Sequence, residues 1–333
     1  MAAGDFGRDI HYRTRNLAGY LENVFRLTPR WSLIPGVRLE HGRTKMDGRL
    51  AYYDPADVPT RVEHDFPLFG VRTQYRLPGS SEAYAGWSQA YRPMILKDVL
   101  PESAIERTDP DLEDARGWTL EAGVRGSLGR RLAYDLSAFT LRYDNRLGGL
   151  LQVDSLGASY LFKTNVGSTR THGVEVAAEG TVVRTRALEV RVFTATAYFD
   201  ARYRDGSVAV SGQNVSVAGN QVESVPRWIT RNGVTLAAGT ATATGMVSHV
   251  ARAFADPQNT VDPTPNGARG VVPAYTVVDL NASAGVTRWL RLRVGVNNLL
   301  DRKYFTKRPT FYPGPGIWPS DGRSVQVSLG ATP

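Results

Sequence analysis

The sequence has no cysteine, no helix-length apolar run and no helical periodicity. Without cysteine among its 333 residues, the chain has no disulfide framework, thiolate nucleophile, cysteine-ligated zinc or iron–sulfur cluster. The absence of any long run of apolar residues excludes a transmembrane helix. Residues Met1–Asp9 also lack the apolar core of a secretory signal. If the protein is exported, we expect this sequence to be incomplete.

Sequence signatures of enzymes and metal sites are also lacking. There is no phosphate-binding glycine–lysine loop, no Gly-x-Ser-x-Gly elbow and no dinucleotide fingerprint. The five histidines are scattered without an i, i+4 pair, which argues against a metal site. A lipase-like site around His172 is kept only as a contrast. We therefore predict no enzyme, no catalytic residue, no metal site and no cofactor.

The net charge of +8 does not form one basic patch with stacking aromatics, so nucleic acid is not a predicted partner. Much of the excess lies in strands and short turns, on faces that we expect to point inward. The examples are Arg38, Arg125, Arg191, Arg291 and Arg293.

Apolar and polar residues alternate along most of the chain, which is typical of β-strands with one apolar face. Alternate residues from Val278 to Val286 are apolar, while Asp279, Asn281 and Ser283 lie between them. This pattern predicts an all-β chain of about thirteen strands. We place them near 17–28, 31–45, 64–77, 82–92, 116–127, 131–145, 170–183, 187–203, 224–239, 241–254, 272–286, 289–299 and 322–330. A change of parity between Leu136 and Phe139 predicts a bulge or a strand end that rises beyond a membrane.

Short and long connections alternate strictly, which favours a transmembrane β-barrel with short periplasmic turns and long extracellular loops. The long connections lie near 46–63, 93–115, 146–169, 204–223, 255–271 and 300–321. Tryptophans begin strands where interfacial belts would lie: Trp31 and Trp289 after short turns, Trp118 and Trp228 after long loops. Because bacterial single-chain barrels have an even number of strands, we expect N-terminal strands beyond this sequence.

Several stretches resemble the C-terminal barrel half of TonB-dependent outer-membrane receptors, and the likeness spans most of the chain. Ser88–Pro93 resembles the family's strand that ends in an aromatic residue, arginine and proline. Gly173–Val176 is similar to its Gly-Val-Glu strand start, and Val225–Trp228 to its Pro-Arg strand entry. The most specific block is Gly295–Tyr304, followed by Tyr312–Gly316 and Gly322–Arg323 before the last strand. From its glycines and asparagines we predict a mainly architectural role for this block.

The resemblance implies an antiparallel β-barrel of about 22 strands with a plugged lumen. Residues 1–333 would be its C-terminal part, without the plug domain and the N-terminal strands. It implies TonB-dependent import of a ferric chelate across the bacterial outer membrane, with ferric citrate or another siderophore favoured over vitamin B12, nickel or glycans. The implied partners are outer-membrane lipid and lipopolysaccharide, and TonB, ExbB and ExbD through the plug. The chain ends at Pro333 rather than in the family's terminal aromatic residue.

Basic and aromatic residues near the outer mouth would suit an anionic iron chelate. The last loop has five basic residues against two acidic ones, and the loop near 146–170 has three against one. The alternative for these residues is solvated charge or lipopolysaccharide contact. The predicted ligand residues are Arg92, Arg146, Lys163, Arg170, Arg302, Lys303, Tyr304, Lys307, Arg308, Tyr312 and Trp318.

The loop near 93–115 is acidic, with two basic residues against seven acidic ones. Its alternating carboxylates at Asp109, Asp111 and Glu113 suit either a hard cation such as calcium or simple solvation. The loop lacks the spacing of an EF-hand, and this lack favours solvation. Two other functions stay open: a free-standing passive porin or fatty-acid channel of about fourteen strands, in which residues 1–16 supply a strand, and a surface adhesin or phage-receptor barrel.

Overall fold

A single antiparallel sheet organises the chain. The structure is a computed structural model that describes residues 7–52, 54, 60–101, 103–309 and 315–331. We number the long strands of the main sheet in chain order: β1 (Arg8–Glu22), β2 (Trp31–Leu50), β3 (Arg61–Arg76), β4 (Ser80–Arg92), β5 (Ala115–Leu128), β6 (Leu132–Asp144), β7 (Gly167–Arg184), β8 (Glu189–Val210), β9 (Trp228–Ala238), β10 (Ala241–Val250), β11 (Tyr275–Thr287), β12 (Leu290–Asn297) and β13 (Ser324–Ala331).

Shorter elements lie in the connections. Within the described ranges these are one helix, Leu96–Val99, and the strands Phe25–Arg26, Glu106–Thr108, Leu147–Val153, Ser159–Asn165, Gln213–Ser216, Ala253–Phe254, Val271–Val272, Phe305–Lys307 and Trp318–Pro319. A search of the described residues for a helix with the length and apolar character to cross a membrane finds none.

Each long strand pairs antiparallel with the one before it, so the predicted strand number and order are confirmed. The connections alternate as predicted. Three short turns contain a glycine at positive φ, namely Gly79, Gly129 and Gly239, which these tight reversals require. We call the edge of the sheet with the short turns the short-turn end and the opposite edge the long-loop end.

Strand β1 begins at Arg8 and not near residue 17 as predicted. Its first half pairs with Gly42–Leu50 at the end of β2. Alternation fails there because the residues are polar on both faces, as in Arg13–Asn16. Backbone pairing with a long neighbour therefore extends the strand where side-chain patterning gives no signal.

The two faces of the sheet differ in chemistry. One face, which we call the apolar face, carries side chains such as Leu120, Leu136 and Val174, exposed at 47%, 40% and 47%. The other, the polar face, carries ion pairs such as Arg125 with Glu82 at 2.6 Å and Arg191 with Glu179 at 3.2 Å. All five arginines predicted to point inward lie on the polar face by register. An exposed apolar face of this extent marks a surface that lipid or protein covers.

The predicted bulge between Leu136 and Phe139 is wrong, because β6 pairs with both neighbours in unbroken register there. Phe139 instead lies on the polar face, over Gly173 of β7 and 6.0 Å from the Phe199 ring. A glycine leaves room for the aromatic ring on this face, so the change in parity needs no extra residue. Among the described residues of the main sheet, the register shifts lie elsewhere, at Ser168/Thr169, Thr181/Val183 and Gly285/Thr287.

The best-buried apolar cluster lies at the long-loop end. Met46, Leu50 and Val62 project from β2 and β3 and pack against the loop of residues 93–114. That loop contributes Leu100, which is fully buried, and Leu112. This cluster holds the 93–114 loop down on the strands and so shapes the surface at this end.

Candidate ligand site at the long-loop end

Arg92 and Lys163, two of the predicted ligand residues, hold the 93–114 loop. One Nη of Arg92 donates to Oδ1 of Asp98 at 3.0 Å, and the other lies 3.0 Å from Oδ2. Lys163 Nζ donates to the Leu100 carbonyl at 2.9 Å and lies 3.1 Å from the Glu106 carboxylate. Because each cation has a carboxylate partner within the protein, both stabilise the loop.

Arg146 lies in a three-membered polar cluster. Its Nη2 donates to Glu223 Oε1 at 2.9 Å, and the other carboxylate oxygen accepts the Tyr203 hydroxyl at 2.6 Å. The guanidinium lies 5.0 Å from the centre of the Tyr203 ring. Both members of the ion pair are about three-quarters buried, with side chains 24% exposed. The cluster ties the start of the 145–166 connection to β8 and to the segment before β9.

Acidic residues of the 93–114 loop accept hydrogen bonds from the loop itself and from the segment that follows β6. Asp109 accepts from the Asp111 amide at 2.9 Å and the Thr164 hydroxyl at 2.6 Å. Glu113 accepts from Asn145 Nδ2 at 2.7 Å, and Asp114 from the Met94 amide at 2.6 Å. No group of three or more potential metal-ligating side chains occurs within the described part of the chain. The hydrogen bonds of these carboxylates stabilise the fold of the loop.

Asn298 organises the last long loop, residues 298–323. Its side chain is buried and its φ is +50°. The Asn298 backbone N–H donates to Asp279 Oδ1 at 2.8 Å, and the Asn298 side-chain oxygen accepts from the Arg302 backbone N–H at 2.8 Å. Asparagine tolerates this left-handed backbone and bonds its local main chain, which explains the choice of residue. At Asn298 these hydrogen bonds agree with the architectural role predicted for this block, of which Tyr312, Pro313 and Gly314 lie outside the described residues.

Asp301 is the second organiser of this loop. Its Oδ1 accepts the Arg323 backbone N–H at 2.9 Å and lies 3.1 Å from Lys303 Nζ. These two donors stabilise the carboxylate, and they hold the pKa of Asp301 below its ordinary value. The ionised carboxylate joins the two ends of the loop.

Four of the predicted residues in the last loop contact other groups at the long-loop end. The Tyr304 ring stacks on Tyr275, with centroids 4.4 Å apart. Arg308 donates to the carbonyls of Val271 and Gly267 at 3.1 and 2.9 Å. Lys307 Nζ lies 5.9 Å from the Trp318 ring centre. These contacts fix the shape of a cationic and aromatic surface.

The remaining predicted residues differ in position. Arg302 and Lys303 are exposed, Lys303 with 78% of its side chain in solvent, so both can meet a ligand. Arg170 lies on the apolar face, in register with Arg142 and Arg202, and apart from the last loop. Tyr312 lies outside the described residues.

Sequence reasoning missed Tyr203, Glu223 and Tyr275, which complete the clusters of Arg146 and Tyr304. Glu223 is 77 residues from Arg146 in the chain, and no spacing rule links them. The sequence offers one weak signal for Glu223, namely that it is an acidic residue at the end of the long connection near 204–223.

A family model described as "TonB dependent receptor-like, beta-barrel" matches residues 2–299. Among curated proteins, the metal-pseudopaline receptor CntO of Pseudomonas aeruginosa is 27% identical over 329 residues, which cover 97% of this chain and 42% of the relative. The probable TonB-dependent siderophore receptor PiuA of Acinetobacter baumannii is 22% identical over 336 residues, covering 96% and 41%. The chain thus spans about two fifths of the length of these relatives.

Solved structures show the same fold. The ferric citrate transporter FecA in its unliganded form aligns with a TM-score of 0.76 and 21% identity, over 99% of this chain and 47% of that one. The siderophore receptor PiuA from Acinetobacter baumannii aligns with a TM-score of 0.75 and 19% identity, over 97% and 44%. Because the family model covers most of the sequence, this chain belongs to the TonB-dependent receptor-like β-barrels, which are outer-membrane receptors and transporters of Gram-negative bacteria and not enzymes.

Proposed function

We propose that residues 1–333 form the C-terminal barrel part of an outer-membrane receptor that imports a ferric chelate, either ferric citrate or another ferric siderophore. The 22-stranded barrel would be completed by N-terminal strands, and a plug domain would fill it. TonB, ExbB and ExbD would act through that plug. The ferric chelate is cargo, and we propose no resident cofactor. Family membership does not favour the porin or adhesin alternatives.

Family membership, together with the surface of the last loop, carries this proposal. Lys303 and Arg302 are exposed, and Lys307 lies beside the half-exposed Trp318 ring. Ferric citrate and many siderophore complexes are anionic and of modest size, and exposed cations with aromatic faces bind such ligands by charge and by stacking. The side chains on the polar face of the sheet would line the lumen of the barrel.

A second candidate cargo is a chelate of another metal. The curated relative named metal-pseudopaline receptor is 27% identical to this chain, which is more than the 21% of the structure titled ferric citrate transporter. Loop cations would attract any anionic metal chelate, so charge alone does not separate the two candidates. A panel of ferric, nickel and zinc chelates separates them.

The test measures the binding of ferric citrate, ferric siderophores and the other metal chelates to the receptor purified from outer membranes. Tryptophan fluorescence is the readout. We expect Lys303→Ala with Lys307→Ala to weaken binding about tenfold or more, since each charge-assisted contact contributes about 1.5–3 kcal/mol. Arg186→Gln, at the short-turn end, is the matched control and leaves affinity unchanged. Unchanged affinity in the double variant contradicts the loop site. Preference for a nickel or zinc chelate contradicts the ferric assignment.

A further inference from the structure

The short-turn end of the sheet carries a set of exposed arginines. Five of the six short turns contribute at least one, either within the turn or as the last residue of the strand before it. Neighbouring turns are two strands apart, or about 10 Å, so the set extends along most of this edge of the sheet. We call these residues the arginine rim. Its members are Arg26, Arg30, Arg76, Arg130, Arg131, Arg184, Arg186 and Arg288.

Carboxylates of the protein leave most of the rim unpaired. All eight arginines are exposed, and Arg184 Nε donates to Glu189 at 3.0 Å. Among the described residues, none forms a hydrogen bond or ion pair with the side chains of the other seven. The six turns contain no aspartate or glutamate, and Glu22 at the end of β1 is the acid beside the first of them. The rim is therefore a surface of one sign, which attracts an anionic partner.

The tips of the turns lie beyond the apolar belt. Two rim arginines directly precede exposed tryptophans: Arg30 before Trp31 and Arg288 before Trp289. Tyr75 is opposite Trp31 on the apolar face. Tryptophan and tyrosine mark the headgroup level of a membrane protein, and the short turns of an outer-membrane barrel lie in the periplasm. The arginines at the turn tips thus project past the headgroups into the periplasm.

Other rim arginines lie on the polar face by register. Arg76 is opposite Glu82 of that face. Arg184 is opposite Glu189, which also lies 3.5 Å from Arg191 of the polar face. Because the polar face would line the lumen, these side chains do not point at the lipid around the barrel. An anionic lipid leaflet would therefore neutralise only part of the rim.

We infer that the arginine rim binds the acidic peptides of peptidoglycan, the carboxylate-bearing polymer of the periplasm. Guanidinium groups bind carboxylates through paired hydrogen bonds. A small anion meets the arginines of one turn, whereas a polymer with carboxylates in each repeat meets several turns at once, and the linked contacts reinforce one another. Such contacts tether the barrel to the cell wall. The inference rests on the outer-membrane placement of this family and on the orientation of the short turns, and not on the import of a chelate.

The test measures how much receptor purified from outer membranes sediments with purified peptidoglycan sacculi. The test variant replaces four exposed turn arginines that have no bonding partner among the described residues. Its substitutions are Arg30→Gln, Arg130→Gln, Arg131→Gln and Arg186→Gln. We expect its affinity for sacculi to fall about tenfold or more, since each exposed ion pair contributes roughly a factor of two.

A matched control removes the same charge from exposed arginines at the long-loop end. Its substitutions are Arg13→Gln, Arg15→Gln, Arg204→Gln and Arg252→Gln. We expect this variant to bind sacculi as the unmodified receptor does, because its altered residues face away from the periplasm. An equal loss of binding in the control and in the test variant would show that net charge alone drives sedimentation, and this result overturns the inference.

Chemical neutralisation of the sacculi identifies the group that the rim binds. We expect sacculi whose carboxylates have been amidated to bind weakly, and binding to native sacculi to weaken as the salt concentration rises. Equal binding to native and amidated sacculi overturns the inference, as does unchanged affinity in the test variant. So does a rim that binds vesicles with phosphatidylglycerol but not sacculi, which would assign it to phospholipid.

The outcome is independent of the proposed function. The test variant should keep its affinity for the ferric chelate, because the altered turns and the last loop lie at opposite edges of the sheet. Its temperature of unfolding should also be unchanged, since the substitutions break no contact among the described residues. A receptor that binds sacculi but no ferric chelate contradicts the proposed function alone. One that binds the chelate but no sacculi contradicts this inference alone.

Discussion

Asn298 and Arg302 bond reciprocally across one tight turn of the last loop. The Asn298 side-chain amide donates to the Arg302 carbonyl at 2.9 Å, and its oxygen accepts from the Arg302 backbone N–H at 2.8 Å. Arg302 thus contributes its main chain to the turn while its side chain remains exposed. The main chain of Arg302 therefore supports the architecture of the loop, while its exposed side chain contributes positive charge to the loop surface.

Asn298→Ala should destabilise the barrel by about 2 kcal/mol, because buried backbone groups lose their partners and alanine fits the left-handed backbone poorly. The measurement is the free energy of unfolding in detergent micelles. Asn297→Ala is the matched control, since that side chain is exposed and, within the part of the chain that the structure describes, its hydrogen-bond partner is Ser324. Equal stability of both variants would contradict the role of Asn298.

Gly173→Ala should cost about 1–3 kcal/mol in stability, because a Cβ atom there would lie 2.3 Å from Phe139 Cζ and 2.9 Å from the Tyr198 carbonyl oxygen. Gly245→Ala is the control, with nothing within 4 Å of its Cβ position. We expect Phe139→Leu to recover part of the loss in the double variant. A loss of similar size at Gly245 would show that any added methyl group in a strand is harmful.

Arg146 and Glu223 should be coupled by about 1–2 kcal/mol in a double-mutant cycle of Arg146→Gln and Glu223→Gln, since the pair is largely buried and charge-assisted. Arg184 and Glu189 form the comparison pair, whose arginine side chain is 54% exposed. Their coupling should stay below about 0.5 kcal/mol. Unfolding free energies of the four proteins in each cycle give the result. Equal coupling in both pairs would refute the assignment.

The Asp301 carboxylate should protect the last loop down to acidic pH. The Arg323 N–H and Lys303 lower its pKa in the folded protein, so its stabilisation is complete above the ordinary aspartate pKa of about 3.9. It is lost as the pH falls through the lower folded value. We expect hydrogen-exchange protection of the Arg323 amide to hold from pH 7 to about 4 and to fall below that. In Asp301→Asn this protection should no longer depend on pH; a fall that persists in that variant would point to another group.

Much of the barrel wall could be predicted from the sequence because strand alternation is a local property. Residues 276–286 and 290–296 alternate clearly because one face meets lipid and the other meets polar groups. The first half of β1 was missed because it projects beyond that belt and is polar on both faces. The change in parity at Phe139 was misinterpreted because the glycine that accepts its ring is on a neighbouring strand.

For the candidate ligand residues, the sequence did not predict which cations are paired within the protein. Loop composition suggested that the cations Arg92, Arg146 and Lys163 bind a ligand. In the structure each is paired with a carboxylate of the protein: Arg92 with Asp98, Arg146 with Glu223 and Lys163 with Glu106. Whether a cation is paired depends on which loops meet, and no local pattern encodes that meeting. The neighbours of Lys303 and Lys307 depend less on tertiary structure, because Asp301 and Trp318 belong to the same loop as the two lysines.

The sequence by itself determined the number of strands, their order, the alternation of short turns and long loops, and the family. Each of these follows from backbone geometry and from side-chain period over neighbouring residues. Only the tertiary structure decided that Arg142, Arg170 and Arg202 share one row on the apolar face and that Glu223 meets Arg146. Strand register brings together residues that are tens of positions apart, and hydrogen-bonded pairing between whole strands sets that register.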